Sequence, residues 1–214
     1  MAAAPPPRIS RAPLRIAVLI SGGGSTLANL IERIGDGRLR GVEIVRVISS
    51  RGKVRGTDIA RAAELPVSVV RRMDFPDEAE FSDALTREVD AAAPDLVVLA
   101  GFLCLWRFPS RYANRVLNIH PALLPGFGGR GMFGEHVHRA VLASGARRSG
   151  CTVHLADEIY DHGRIVAQSE VAVLDRDTPQ TLAQRVMAAE RELLPAVIQR
   201  VADEGTACLA GDTQ

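Results

Sequence analysis

The chain has 214 residues, of which 47% are apolar and 24% charged, values typical of a globular protein and too apolar for a disordered one. Its 26 Lys and Arg residues nearly balance its 25 Asp and Glu residues, so bulk electrostatics do not favour binding to nucleic acid or to an anionic membrane. No uninterrupted apolar run approaches the ~18 residues of a membrane span. The three cysteines, Cys104, Cys151 and Cys208, are odd in number and widely spaced, which is typical of neither a disulfide framework nor a zinc site and favours a reducing cytoplasm.

The two ends of the chain differ in composition from the rest. Residues 1–13 are rich in Ala and Pro and lack the apolar stretch of a secretory signal, so an extended, unpacked tail is expected there. Residues 205–214 are expected to form a flexible C-terminal tail. Because neither repeats nor linkers interrupt residues 14–204, we expect this region to form one domain.

Strand and helix patterns alternate from Leu14 onward. The apolar run Arg15–Ile20 is followed by a glycine turn and then by apolar residues at helical spacing from Leu27 to Ile34. Further strands are predicted over 42–49, 67–70, 96–100, 116–120, 152–156 and 165–173, and further helices over 58–64, 77–92 and 135–143. Continuous apolar strands separated by helices indicate an α/β fold with a mostly parallel, twisted sheet and helices on both faces.

The last predicted element is a long helix. Thr178 is a suitable N-cap, and Pro179 suits the first helical position. Apolar residues from Leu182 to Val201 recur every three or four positions, which indicates one core-facing stripe. Pro195 lies inside this stretch and is expected to kink the helix.

The glycine turn Gly22–Gly24, followed by Ser25 and Thr26, favours an anion site. Backbone N–H groups and the positive end of the following helix would face the same point. The turn does not match a dinucleotide fingerprint, because Leu27 occupies the place of the third glycine, and it lacks the lysine of a Walker loop. A small-molecule phosphate is therefore the favoured ligand, and a tight structural turn is the alternative.

Asn118 and His120 are two residues apart on a predicted strand, so their side chains leave the same face at its carboxyl end. An amide beside an imidazole can stabilise an oxyanion, although both could simply be satisfied polar residues at a strand terminus. His154 is interpreted as a packed structural histidine. The acidic loop Asp157–Gly163 predicts either a solvated turn or a carboxylate partner for His120.

The other two histidines considered, His136 and His138, lie two apart on a predicted helix. Their side chains would leave different faces, so they are not expected to share a metal ion.

Several segments resemble one family. Leu117–Pro125 is similar to the signature of phosphoribosylglycinamide formyltransferases, the folate-dependent enzymes of purine synthesis, and Ile20–Leu27 and Val97–Leu103 resemble their phosphate loop and folate-side strand. The resemblance extends from Leu14 to Val201 and implies a Rossmann-like formyltransferase fold. Related formyltetrahydrofolate deformylases and methionyl-tRNA formyltransferases typically carry another residue at the position of Pro121, together with an additional domain.

The resemblance implies transfer of the formyl group of 10-formyltetrahydrofolate, a co-substrate, to the amine of glycinamide ribonucleotide, without a metal. It implies that Asn118 and His120 bind the oxyanion of the tetrahedral intermediate. Asp161 would pair with His120 and order a water that carries the proton from the amine to the departing folate nitrogen. The binding residues that it implies are Gly24, Ser25, Thr26 and Glu190 for the ribonucleotide, and Leu103, Cys104, Leu105, Trp106, Ala156, Asp157 and Asp161 for folate.

The expected partners are small-molecule substrates, with no nucleic acid or membrane, and the expected assembly is a monomer or a homodimer. Two other functions compete with the transferase: a deformylase-like hydrolase, and a non-catalytic module that binds a phosphometabolite without using Asn118 or His120. A dehydrogenase is disfavoured by Leu27.

The segment Gly126–Gly134 is interpreted as a mobile glycine-rich loop, longer than in compact bacterial members of the family. Arg130 at its centre would make it a lid if it contacts the phosphate. The resemblance provides no matching arginine around Asp77–Phe81 for the glutamate tail of the folate.

Overall fold

A seven-stranded sheet forms the centre of the computed structural model, which describes residues 12–210. The strands are β1 (Leu14–Ile20), β2 (Val42–Ser49), β3 (Val67–Val69), β4 (Leu96–Leu99), β5 (Val116–His120), β6 (Arg148–Leu155) and β7 (Ile165–Ala172). Their spatial order is β3-β2-β1-β4-β5-β6-β7; the pairs among β1 to β5 are parallel, whereas β6 pairs antiparallel with both β5 and β7. The predicted α/β class with a mostly parallel sheet is confirmed. Most of the predicted N-terminal tail, residues 1–11, lies outside the described residues.

Helices cover both faces of this sheet. They are α1 (Ser25–Gly35), α2 (Arg55–Ala62), α3 (Glu78–Ala92), α4 (Glu135–Ala143) and α5 (Pro179–Glu204). On β1, Ile16, Val18 and Ile20 belong to the core shared with α1, α2, α4 and α5, whereas Ala17 and Leu19 pack with α3. All five side chains are fully buried, as the alternation of a strand covered on both faces requires.

Two element starts differ most from the sequence-based prediction. The helix α2 begins at Arg55 and not at Asp58, because Gly56 allows the start of this helix to approach Gly24. The strand β6 begins at Arg148, well before the apolar run, because its antiparallel pairing with β7 extends to Ala172. The polar start of β6 gave no apolar signal for this pairing.

The long helix α5 has the predicted cap. The Thr181 N–H donates to Thr178 Oγ1 (3.2 Å), and the Thr178 N–H donates to Thr181 Oγ1 (2.9 Å). The helix runs for 26 residues through Pro195. Between residues 12 and 210, neither α5 nor any other helix combines the length and the apolar character that crossing a bilayer requires.

The prediction of a flexible C-terminal tail is wrong for residues 206–209. Thr206–Leu209 forms a short 3₁₀ helix, and the Leu209 side chain is fully buried in the core beside α5. Arg164 donates a hydrogen bond to the Leu209 carbonyl. Burial of one leucine therefore holds this segment against the domain, whereas residues 211–214 lie outside the described residues.

Gly24→Ala is expected to destabilise the protein more than Gly37→Ala. Both glycines have a left-handed backbone, with φ of 72° and 78°, so both substitutions introduce left-handed strain of about 1–2 kcal/mol. Only the Cβ at position 24 would also meet another atom, the Gly56 Cα at 2.5 Å, whereas position 37 has open space. Overpacking adds about 1–3 kcal/mol, which chemical denaturation can measure. Equal losses of unfolding free energy would contradict the tight contact between α1 and α2.

Candidate active site

A cavity of about 710 Å³ opens at the carboxyl edge of the sheet, a volume suited to a small-molecule site. This edge is where the strand order reverses between β1 and β4, the place at which open α/β sheets bind ligands. The walls come from the start of α1, the segment after β4, the end of β5, the glycine-rich loop, the loop after β6 and α5.

The pairing of β5 with β6 brings three polar side chains, those of Asn118, His120 and His154, to the cavity. In the antiparallel register, Asn118 lies opposite His154 and His120 lies opposite Thr152. The Asn118 Nδ2 is 2.9 Å from His154 Nε2. Thr152 Oγ1 donates to the Ala122 carbonyl at 2.7 Å and thereby holds the turn after β5. The two strands therefore position Asn118 and His120 as a pair.

Asp161 lies at the centre of these groups. Its Oδ1 accepts from Asn118 Nδ2 at 3.2 Å, and its Oδ2 is 3.3 Å from His120 Nδ1. The backbone N–H of Gly129 donates to Oδ2 at 3.0 Å, and His154 Nε2 is 3.6 Å from Oδ1. The structure thus brings Asn118, His120 and Asp161 together at one point.

Hydrogen bonds define the protonation of the two histidines. His154 Nδ1 is 2.9 Å from the Leu155 carbonyl, so Nδ1–H donates there and Nε2 accepts from Asn118. His120 has an acceptor at each nitrogen: the carboxylate of Asp161 at Nδ1 and the Phe127 carbonyl, 2.9 Å away, at Nε2. A neutral imidazole can donate to only one of these two acceptors at a time.

The electrostatics at Asp161 favour its charged form. Burial by itself would raise the pKa of Asp161, but hydrogen bonds with His120 and His154, the charge of His120 and the Gly129 N–H hold it well below its usual value. Asp161 has an unusual φ of +55°, as does Phe127, the other residue that contacts the His120 ring. Left-handed backbone at non-glycine residues is uncommon and often accompanies function. The arrangement offers N–H donors beside a permanent carboxylate, which suits stabilisation of an oxyanion and relay of a proton.

The opposite end of the cavity contains Ser25, Thr26 and Glu190. The first turn of α1 carries no acidic residue and no side-chain cap, so its backbone N–H groups offer a positive end. Burial raises the pKa of Glu190 to about 7, although the charge of His120 acts in the opposite direction. Gly24 does not line the cavity and instead packs against Gly56.

The segment after β4 forms the third wall. Leu103, Cys104, Leu105 and Trp106 all line the cavity, as do Ala156 and Asp157 across from them. Ser21 Oγ accepts from the Leu103 N–H at 2.9 Å and fixes the start of the segment. The Trp106 indole N–H donates to Thr86 at 3.0 Å and its side chain is buried, so Trp106 contributes shape and no free donor.

Two histidines contribute more to the cavity than the sequence indicated. His154, interpreted as a packed structural residue, is indeed buried but contacts Asn118 and Asp161; the alternation of Thr152 and His154 was the available signal. His138 is 4% exposed and lines the cavity, and its Nδ1 has no hydrogen-bond partner among the described residues. Burial and the charge of His120 lower the pKa of His138. Within residues 12–210, no group of three His, Cys, Asp or Glu side chains is arranged to hold a metal ion.

Residues 14–198 match the family described as formyl transferase. A chloroplastic phosphoribosylglycinamide formyltransferase of Arabidopsis thaliana is 42% identical over 198 residues, which cover 89% of this chain and 66% of that protein. The Mycobacterium tuberculosis H37Rv enzyme of that name is 42% identical, with 91% and 87% covered. Glycinamide ribonucleotide transformylase 1 from Symbiobacterium toebii is similar in structure, with a TM-score of 0.83, 36% identity, and 90% and 89% covered.

Some of these relatives are longer than the chain. The chain spans about two thirds of the Arabidopsis thaliana protein and 14% of a trifunctional purine biosynthetic protein of Drosophila pseudoobscura pseudoobscura, to which it is 40% identical.

Asp161→Asn should destabilise the protein in a pH-dependent manner. Because the folded-state pKa of Asp161 is depressed, its stabilisation is present above the pKa of an unfolded carboxyl, about 3.9, and is lost as the pH falls below that value. At pH 7 the variant should lose about 2–4 kcal/mol of unfolding free energy, and the difference from wild type should shrink below a pH of about 4. Denaturant titrations across this range measure both quantities.

Asp157→Asn is the matched control, because Asp157 also pairs with an imidazole, that of His162 at 2.8 Å, but both side chains are exposed. It should cost less than about 1 kcal/mol. A similar, pH-independent loss in both variants would contradict the buried ion pair.

Proposed function

Since the chain belongs to the formyl transferase family, we propose that it carries out the reaction of its phosphoribosylglycinamide formyltransferase relatives. It transfers the formyl group of 10-formyltetrahydrofolate to the amine of glycinamide ribonucleotide, a step of purine biosynthesis. The observation that carries this proposal is the convergence of Asn118, His120 and Asp161 at the carboxyl edge of the sheet. A deformylase, a binding module and a dehydrogenase are not favoured by the comparisons.

The oxyanion is stabilised by Asn118 and His120. As the amine nitrogen attacks the formyl carbon, the carbonyl oxygen gains negative charge and needs donors in place. The Asn118 amide now donates to Asp161, and His120 Nε2 lies against the Phe127 carbonyl. When the oxyanion develops, the N–H groups of Asn118 and His120 turn from these acceptors and donate to it. A donor that carries a positive charge forms the stronger hydrogen bond.

Asp161 organises the transfer of a proton from the amine to the folate nitrogen. The attacking nitrogen must lose a proton and the departing folate nitrogen must gain one when the carbon–nitrogen bond to folate breaks. Asp161 orders a water between them and pairs with His120 Nδ1. Because the pKa of Asp161 is depressed, its carboxylate stays ionised. It therefore holds the water in position while the proton passes through that water.

The two substrates approach from different ends of the cavity. The phosphate of the ribonucleotide binds at Ser25 and Thr26, at the positive end of α1, and Glu190 binds the ribose hydroxyls. Folate lies along the wall formed by residues 103–106 and the loop 156–161. Support for this division comes from the cavity lining, which includes both groups of residues.

The proposed function also carries expectations about partners, assembly and location. Small-molecule substrates fit a near-neutral chain, with no role for nucleic acid, membrane or metal, and we keep the prediction of a monomer or a homodimer. A cytoplasmic location is supported by the cysteines, since all three are free thiols.

Release of tetrahydrofolate should depend on the ribonucleotide. Asn118→Ala removes an oxyanion donor and should lower kcat by about 10²–10³-fold, and Asp161→Asn by about 10²–10⁴-fold. His162→Ala is the control, because His162 is exposed and pairs only with Asp157; it should remain within about twofold of wild type. A spectrophotometric assay measures folate release. Equal release without ribonucleotide would support a deformylase instead, and binding without turnover would support the phosphometabolite module.

Affinity for the ribonucleotide should increase as the pH rises through about 7. The ionised carboxylate of Glu190 accepts hydrogen bonds from both ribose hydroxyls, and its pKa is raised to about 7 by burial, so it is protonated below that pH. Glu190→Gln cannot ionise and should lose this component of the profile. Because the substrate phosphate titrates identically with both proteins, the difference between the two KM–pH profiles isolates Glu190. Parallel profiles would contradict its role.

A further inference from the structure

Arg130 is the only arginine or lysine among the described residues that line the cavity. It lies in the glycine-rich loop between Gly129 and Gly131, whose φ values of 99° and 89° turn the chain on both sides. The Arg130 side chain is exposed and forms no ion pair or hydrogen bond with the described residues. A cation without a partner in a cavity wall is available to a ligand anion.

The acids around this cation already have partners of their own. Glu135 accepts from Arg139 Nε at 2.8 Å, and Asp157 pairs with His162. Beyond the cavity wall, Glu78 accepts from Arg107 at 3.1 Å. Asp161 is occupied by His120. The positive charge of Arg130 is therefore not neutralised by the carboxylates at this rim.

The position of Arg130 distinguishes between two candidate anions, the carboxylates of the folate donor and the phosphate of the ribonucleotide. Arg130 directly follows Gly129, whose backbone N–H donates to Asp161 Oδ2 at 3.0 Å, and Tyr160, the residue before Asp161, lines the same cavity. These neighbours belong to the loop 156–161, which forms part of the folate wall. The phosphate end has the positive end of α1 and, beside Ser25, an arginine of its own, Arg191, whose partner is Glu32 at 3.4 Å.

We propose that Arg130 binds the glutamyl carboxylates of the formyl donor and sets the affinity for glutamylated folates, while leaving the ribonucleotide to the other end of the cavity. The inference rests on the proposed function for the identity of the donor. A carboxylate and a guanidinium form paired, charge-assisted hydrogen bonds, which is why an arginine suits this task. The flanking glycines let the loop adjust to tails of different length.

Removal of the glutamate from the donor provides the test. Arg130→Ala should raise the KM for 10-formyltetrahydrofolate about tenfold, equivalent to about 1.4 kcal/mol, and should leave the KM for the ribonucleotide within about twofold. With the amide of 10-formyltetrahydropteroate, which carries no carboxylate, wild type and variant should give the same KM. Arg130→Lys should retain part of the affinity, and added salt should reduce the difference between wild type and Arg130→Ala.

Arg139→Ala is the matched control, since Arg139 is a neighbouring exposed arginine that pairs with Glu135 and does not line the cavity. It should leave both KM values unchanged. Binding of folate and of the pteroate amide, measured by calorimetry, gives the same comparison without turnover. An absence of formyl transfer by wild type would therefore overturn the proposed function and not the role of Arg130.

Three results would overturn the assignment of Arg130. A raised KM for the ribonucleotide with an unchanged donor KM would make Arg130 a phosphate clamp and the loop a lid over that end. An equal loss with the pteroate amide donor would place the contact elsewhere on the folate. Unchanged KM values for both substrates would remove Arg130 from binding altogether.

Discussion

The ion pair between His120 and Asp161 is the interaction on which the rest of the site depends. The Asp161 side chain is only 10% exposed, so its charge is tolerated only where donors replace the lost water. Those donors come from separate parts of the chain: Asn118 and His120 from β5 and Gly129 from the glycine-rich loop. The ionised Asp161 is therefore stable only when β5, the glycine-rich loop and the loop after β6 come together. The same arrangement forms the site.

Charge is distributed unevenly along the cavity. At the β5 end, the carboxylate of Asp161 is ionised and the imidazole of His120 has two acceptors. At the α1 end, burial raises the pKa of Glu190 to about 7, so its carboxylate ionises near neutral pH and can then accept hydrogen bonds from hydroxyl groups. The arrangement suits two anionic substrates that meet at a centre where negative charge develops during the reaction.

Elements with strong local signals were predicted well from the sequence. The strand β5 was predicted with its observed bounds because apolar residues and Pro121 mark both ends, and α5 was predicted from its cap and its stripe. The start of β6 at Arg148 was missed, since polar residues carry no apolar period. The burial of Leu209 was missed as well, because a single leucine in a polar segment does not indicate whether its side chain packs into the core. His154 is buried as predicted, but its contacts with Asn118 and Asp161 were not predicted, because spacing cannot show which strand lies beside it.

The sequence by itself determined the α/β class, the shared face of Asn118 and His120, and the family, because these depend on local periodicity and on a contiguous motif. Only the tertiary structure decided what those residues meet. Asp161 is 41 positions beyond His120 in the chain, yet their side chains are in contact through a loop with a left-handed residue. Likewise, only the path of the glycine-rich loop places Arg130 in the lining of the cavity. Contacts of this kind arise from the register of neighbouring strands and the path of loops, which no local pattern specifies.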